Sequence, residues 1–177
     1  GKCKGPKLGA LTEMVADHLL DDANKVVVFC SYVHMAAMIR DAVGGVLYTG
    51  QMSALEKESA KEQFQTDPDT RVLVSTDAGG YGVDLPQANM LINYDLPWSS
   101  GLAAQRNGRI RRASSRWPSI VVQDILMADS LEERQYEVLR QKGRVASAVI
   151  DGEGINKDGG VDLTAGSLTA FLQAVSV

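Results

Sequence analysis

Three apolar runs constrain this chain more than any other feature. "KVVVFC" (25–30), "RVLVS" (71–75) and "MLINYD" (90–95) are short, mostly rich in β-branched residues, and apolar with no polar alternation. A strand with one wet face alternates apolar and polar residues, whereas an unbroken apolar run is covered on both faces. The segments around them carry helical spacing instead. Leu8, Leu11, Val15 and Leu19 recur at helical intervals in "PKLGALTEMVADHLL". "VHMAAMIRDAV" predicts a helix over 33–43, closed by Gly44-Gly45, and "VLY" predicts a short strand. Ser53 and Glu56 have the spacing of a capping box opening a helix to about Gln65. "GLAAQRNGRIRR" (101–112) predicts a helix with Gly108 as its weak point, and "SIVVQDILM" (119–127) another strand. Ser130 and Glu133 predict a second capping box, opening a helix through about Val149. A Gly/Asp-rich loop, "DGEGINKDGG", then leads to a short terminal helix in "LTAGSLTAFLQAV". Strands covered on both faces and alternating with helices imply an α/β fold: a mostly parallel central sheet with helices on both faces. The expected organisation is one domain over 1–150 and a loop-and-helix extension over 151–177.

Charge narrows the function. The formal net charge is −4, which argues against a protein that coats nucleic acid through its overall field. Any anion site must be local. No apolar run approaches the ~20 residues of a membrane-spanning helix, and "GKCKGPKLGAL" lacks the apolar core of a signal peptide. The expectation is an intracellular protein, in cytoplasm or nucleus, without a membrane partner. Cys3 and Cys30 are too few and too far apart for a disulfide framework, and Cys30 reads as a buried free thiol. Neither they nor His18 and His34 form a metal-ligand spacing, so no metal site is expected.

In open parallel sheets function gathers in the loops after the strands' carboxyl ends. Here those are Ser31-Tyr32, Gly50, Thr76–Asp84 and Asp95–Ser100. "STDAGGYGVDL" (75–85) offers Gly79, Gly80 and Gly82 for close backbone approach to an anion, or for a tight turn. The run lacks the G-x-G-x-x-G of a dinucleotide fingerprint. "YTGQMS" reads as a phosphate-binding helix start or an ordinary βα loop. In "LPWSS", Trp98 can stack on nucleic acid or close the edge of the core.

"QRNGRIRR" (105–112) is more decisive. On a helix Gln105, Arg109 and Arg112 share one stripe, and residues 96–123 contain no carboxylate. Such a stripe faces water or an anion. Solvated helices usually mix charge signs, and guanidinium groups clamp phosphate bidentately at any working pH, so the anion is favoured.

These stretches resemble a known family. "QRNGRIRR" is similar to helicase motif VI, "STDAGGYGVDL" to motif V and "KVVVFCSY" to motif IV, in the family's order. Together they resemble the C-terminal RecA-like lobe of a superfamily 2 helicase or translocase, nearest the Swi/Snf-like ATPases. "GPKLGALTEMV", "NYDLPWSS" and "SLEERQYEVLRQK" support that branch, and the likeness runs from about Lys7 to Ile150. The resemblance implies a three-layer RecA-like fold and an ATP motor with nucleotide between two lobes. It casts Arg109 and Arg112 as arginine fingers and Gln105 as a group orienting phosphates or attacking water. It places Gly82 and Asp84 near the ribose and the interlobe contact. Thr76 and Gly79, with Ser31, Gly50 and Trp98 as weaker candidates, fall on the nucleic-acid backbone surface. The implied partners are an N-terminal RecA-like lobe and DNA, double-stranded by the Swi/Snf likeness. ATP and Mg²⁺ are implied as cofactors, held mainly by that other lobe. No G-x-x-x-x-G-K-[ST] occurs in the 177 residues, so the chain is expected to be a lobe inactive by itself. The sequence departs from Swi/Snf-like patterns at Asp84, at Ser99-Ser100 and at "ASS" (113–115). A DEAD-like RNA helicase lobe and a non-catalytic nucleic-acid-binding module are the alternatives.

Overall fold

The computed structural model describes residues 5–80 and 82–151, with side chains as far as Gln141. The helix expected after the Gly/Asp-rich loop lies outside the described residues, as does Cys3. The elements in chain order are α1 (Pro6–His18), β1 (Val26–Cys30), α2 (Val33–Val43), β2 (Val46–Tyr48) and α3 (Ala54–Thr66). There follow β3 (Val72–Thr76), β4 (Met90–Asn93), α4 (Ser100–Ile110), β5 (Val121–Asp124) and α5 (Leu131–Asp151). Among the described residues no helix is long and apolar enough to cross a membrane.

The five strands form one sheet in the order β2-β3-β1-β4-β5, every pairing parallel. β1 takes the middle because all five of its residues are apolar and buried. Its side chains alternate between two cores. Val26, Val28 and Cys30 pack with Leu11, Val15 and Ile39 of α1 and α2, while Val27 and Phe29 pack with Phe64 and Ile110 of α3 and α4. Helices therefore cover both faces, as the unbroken apolar runs require.

Local signals explain most boundaries. Pro6 starts α1, where a missing N–H costs nothing. Both halves of the Ser53/Glu56 capping box are present at α3: Ser53 N–H donates to Glu56 Oε2 at 2.7 Å and Glu56 N–H to Ser53 Oγ at 3.3 Å. Gly44, at φ +79°, closes α2 in a conformation that suits glycine.

Three expectations need correction. α4 stops at Ile110, not Arg112. The Arg109 carbonyl, which would accept the N–H of residue 113 in a continuing helix, accepts from Leu85 N–H at 2.8 Å instead. β5 is four residues long, not nine, and lies largely exposed at the sheet's edge. At α5 the expected box is shifted by one residue. Ser130 Oγ accepts the Glu132 N–H at 3.2 Å, and the Glu133 carboxylate accepts the Asp129 N–H at 3.1 Å.

The chain divides into two units, Gly1–Tyr136 and Glu137–Val177. The sheet, α1 to α4 and the start of α5 belong to the first.

Candidate nucleotide and nucleic-acid site

Strand order places the candidate residues in a row. Gly50 follows β2, Thr76 ends β3 and Gly79 follows it, Ser31 follows β1 and Trp98 follows β4. All lie at the carboxyl edge of one parallel sheet, and α4 begins just beyond Trp98.

The strongest contact at this edge belongs to Arg106, whose role the helical stripe did not disclose. Arg106 is 2% exposed and runs inward from α4. Its Nε donates to Asp77 Oδ1 at 2.6 Å and its Nη2 to Asp77 Oδ2 at 2.8 Å, a bidentate fork. Its Nη1 donates to Asn93 Oδ1 at 2.9 Å and to the Asp95 carbonyl at 2.7 Å, and the guanidinium lies 5.5 Å from the Phe29 ring centroid. One side chain thus ties α4 to the ends of β3 and β4. A signal for it was present: Asp77 and Asp95 each fall at or just after the end of a buried strand, where a carboxylate needs a partner.

That anchoring presents its neighbours to a common cleft. Gln105 and Arg109 line a small depression with Asp77, Gly80, Leu102 and Phe29. Gln105 is exposed and Arg109 half-buried. Arg112 lies beyond the helix, so the Gln105–Arg109–Arg112 stripe is broken at its third member. It is exposed and ion-paired with Asp84, which joins two of the singled-out residues. Gly82 precedes them at φ +77°, in open space.

The backbone candidates differ among themselves. Thr76 and Gly79 are buried and engage each other, Gly79 N–H donating to Thr76 Oγ1 at 3.2 Å. A methyl group at 79 would overlap the Tyr48 carbonyl oxygen and stand 2.6 Å from Thr49 Cα. A methyl at exposed Gly50 would stand 2.9 Å from Ala78 Cβ. The loops after β2 and β3 therefore cross at glycines. Ser31 N–H donates to Asp95 Oδ2 at 3.0 Å. Trp98 is 74% exposed, so it does not close the core edge.

Electrostatics at the edge follow from burial. Desolvation, with the Asp95 charge adding to it, pushes the Cys30 thiol up to about 12. A thiol held neutral in this way is unsuited to nucleophilic or metal chemistry. Lys7 lies 3.9 Å from Asp95, pairs with Glu132 and sits 5.1 Å from the Tyr94 ring. Among the described residues no group of three or more His, Cys, Asp or Glu could hold a metal.

Comparison with known proteins agrees with this architecture. The helicase conserved C-terminal domain family matches residues 6–114. The DNA repair protein rad8 of Schizosaccharomyces pombe is 32% identical over 139 residues, covering 75% of this chain and 12% of its own length. The C-terminal part of the Fun30 ATPase domain superposes with a TM-score of 0.66 at 20% identity, over 75% of this chain and 45% of that one. The Sulfolobus solfataricus SWI2/SNF2 ATPase C-terminal domain gives 0.58 at 22% identity, over 77% and 56%. The chain thus spans only a small part of the length of curated relatives such as rad8.

Proposed function

Because the chain belongs to the helicase conserved C-terminal domain family, we propose that it is the second lobe of an ATP-dependent DNA translocase or helicase. Its α4 supplies Arg109, and the chain beyond α4 supplies Arg112, to a triphosphate bound with Mg²⁺ mainly by an N-terminal P-loop lobe. Gln105, beside Arg109, orients the phosphates or the attacking water. The observation that carries this reading is the Arg106 anchor. It fixes the rotation of α4 so that Gln105 and Arg109 line one cleft at the sheet's carboxyl edge.

The chemistry suits those groups. Phosphoryl transfer depends mainly on positioning and on neutralising charge over several oxygens, and an arginine finger is worth roughly 10³–10⁵ in rate. Arg112 reaches such a site by exchanging Asp84 for phosphate, since both partners are exposed and exposed pairs are weak. Gly82 and Asp84 border the ribose and the interlobe contact. The track is duplex DNA, met through backbone N–H and hydroxyl groups near Ser31, Gly50, Thr76 and Gly79, with Trp98 stacking at the end of the row. Such contacts go to phosphate and sugar, so they suit movement along any sequence and need no basic surface.

The test is steady-state ATPase of a two-lobed protein carrying this chain, with duplex DNA, single-stranded DNA and RNA compared. Duplex-stimulated turnover that falls about 10³-fold or more in Arg109→Ala is expected. Turnover by the lone 177-residue chain, abolished by that substitution, would contradict the assignment. Stimulation by RNA alone would favour the RNA helicase alternative.

A further inference from the structure

One stretch is not absorbed by this function. After the last arginine of "QRNGRIRR" the chain reads "ASS", so Arg111-Arg112-Ala113-Ser114 sets a serine three and two residues behind two arginines. The structure separates the two adjacent serines. Ser115 is half-buried, its Oγ donating to the Pro86 carbonyl at 3.3 Å and accepting Trp117 N–H at 3.3 Å. Ser114 is exposed in a turn closed by Ser115 N–H donating to the Arg112 carbonyl at 2.9 Å, and its hydroxyl has no hydrogen-bond partner among the described residues. Arg111 and Arg112 are exposed beside it. The turn therefore presents a free hydroxyl and two cations on one accessible segment.

We propose that Ser114 is a phosphorylation site for a basophilic protein kinase, one whose peptide groove is lined with carboxylates that read Arg111 and Arg112. Ser114 Oγ attacks the γ-phosphorus of the kinase's ATP. The new Oγ–P bond forms as the bond from the γ-phosphorus to the bridging oxygen breaks, ADP leaves, and the hydroxyl proton passes to the kinase's catalytic carboxylate. The product carries about −2 charge two residues from Arg112. Asp84 offers Arg112 one exposed carboxylate, and the phosphate dianion outcompetes it, so modification withdraws Arg112 from the nucleotide. This consequence rests on the proposed role of Arg112; the site itself does not.

The experiment has two readouts. The full chain is incubated with the catalytic subunit of cyclic-AMP-dependent protein kinase and radiolabelled ATP, and the phosphate is mapped by mass spectrometry. Near-stoichiometric label at Ser114 is expected, lost in Ser114→Ala, kept in Ser115→Ala and at least tenfold slower in Arg111→Ala. Label on Ser115, or label only after denaturation, overturns the proposal. In a two-lobed protein, phosphorylation should lower ATPase to the level of Arg112→Ala, with Ser114→Ala treated identically and unaffected. Unchanged ATPase in the phosphorylated protein, where Arg112→Ala is impaired, overturns the withdrawal of Arg112. Unchanged ATPase in Arg112→Ala refutes the finger assignment and leaves the labelling result standing.

Discussion

Arg106→Ala is the most informative perturbation, because the structure specifies what it leaves behind. The substitution removes four hydrogen bonds, at 2.6, 2.7, 2.8 and 2.9 Å. It strands the Asp77 carboxylate, Asn93 Oδ1 and the Asp95 carbonyl at a site where Arg106 itself is 2% exposed. Removing one partner of a buried ion pair destabilises by about 3–5 kcal/mol. The Asp77 carboxylate is 24% exposed and regains some water, which favours the lower half of that range. Taking about 3.5 kcal/mol and a urea dependence of about 2 kcal/mol per molar, the unfolding midpoint should fall by about 1.7 M. Asp77→Ala should cost a similar amount, about 3–4 kcal/mol, because it leaves the buried guanidinium with only the neutral acceptors of Asn93 and Asp95. The double variant should fall short of the sum by about 2 kcal/mol, the signature of a direct pair. Arg111→Ala, exposed on the same segment, should stay within about 0.5 kcal/mol of the parent. A midpoint shift below about 0.5 M for Arg106→Ala, or strict additivity with Asp77→Ala, would refute the anchor and the orientation of α4 derived from it.

Other outcomes follow from single environments. Gly79→Ala should destabilise by about 3 kcal/mol, because backbone atoms of Tyr48 and Thr49 occupy the space and cannot yield. Gly82→Ala, at φ +77° in open space, should cost about 1–2 kcal/mol, and thermal unfolding that reverses this order would disprove the packing argument. The folded thiol of Cys30 is raised from 9.0 to about 12, so the folded state holds its proton where the unfolded state has released it. Its contribution to stability is complete below about pH 9 and is lost as pH climbs toward 12, so Cys30→Ala should weaken the alkaline decline seen in denaturant titrations. Trp98→Ala should leave stability within about 0.5 kcal/mol, since the ring is 74% exposed. In a two-lobed protein it should weaken DNA binding by about 1–3 kcal/mol in an anisotropy titration, and unchanged affinity would remove Trp98 from the track.

What could be read from the chain depended on how local the cause was. The central strands, the capping box at Ser53 and the glycine stop at Gly44 are set by neighbours a few residues apart, and they appear where the patterns put them. Local pattern carries α4 two residues too far because Leu85, distant in the chain, takes the Arg109 carbonyl. β5 was expected to be longer because apolar content alone does not reveal that a strand lies at a sheet's edge. The anchoring role of Arg106 is hidden from local sequence for the same reason as the helix end. Its acceptors stand on Asp77, Asn93 and Asp95, and no periodicity links those positions. The lack of carboxylates within 96–123 was evidence about local sequence, not about the space around α4.

The two arginines of α4 serve different ends in an acidic protein. Arg106 and Arg109 are three residues apart, so they are neighbours about 60° apart around α4. Burying Arg106 against Asp77 neutralises it and removes two degrees of freedom from the helix, its rotation and its position along the sheet edge. Arg109 then projects from a helix that is already fixed, and Gln105 beside it is fixed equally. For the role proposed for Arg109, such fixing matters because a misplacement of about 1 Å can cost about 10²-fold in rate. Arg112, by contrast, lies beyond the helix and meets Asp84 in an exposed ion pair. One of the two outward arginines is thus carried by the anchored helix and the other by the chain beyond it. Conservative Arg106→Lys, which keeps charge but loses the fork to Asp77, should therefore lower kcat through Arg109 in a two-lobed protein while leaving the exchange of Arg112 between Asp84 and anions unchanged. Equal impairment of both arginines would mean that the loop, not the helix, sets their geometry.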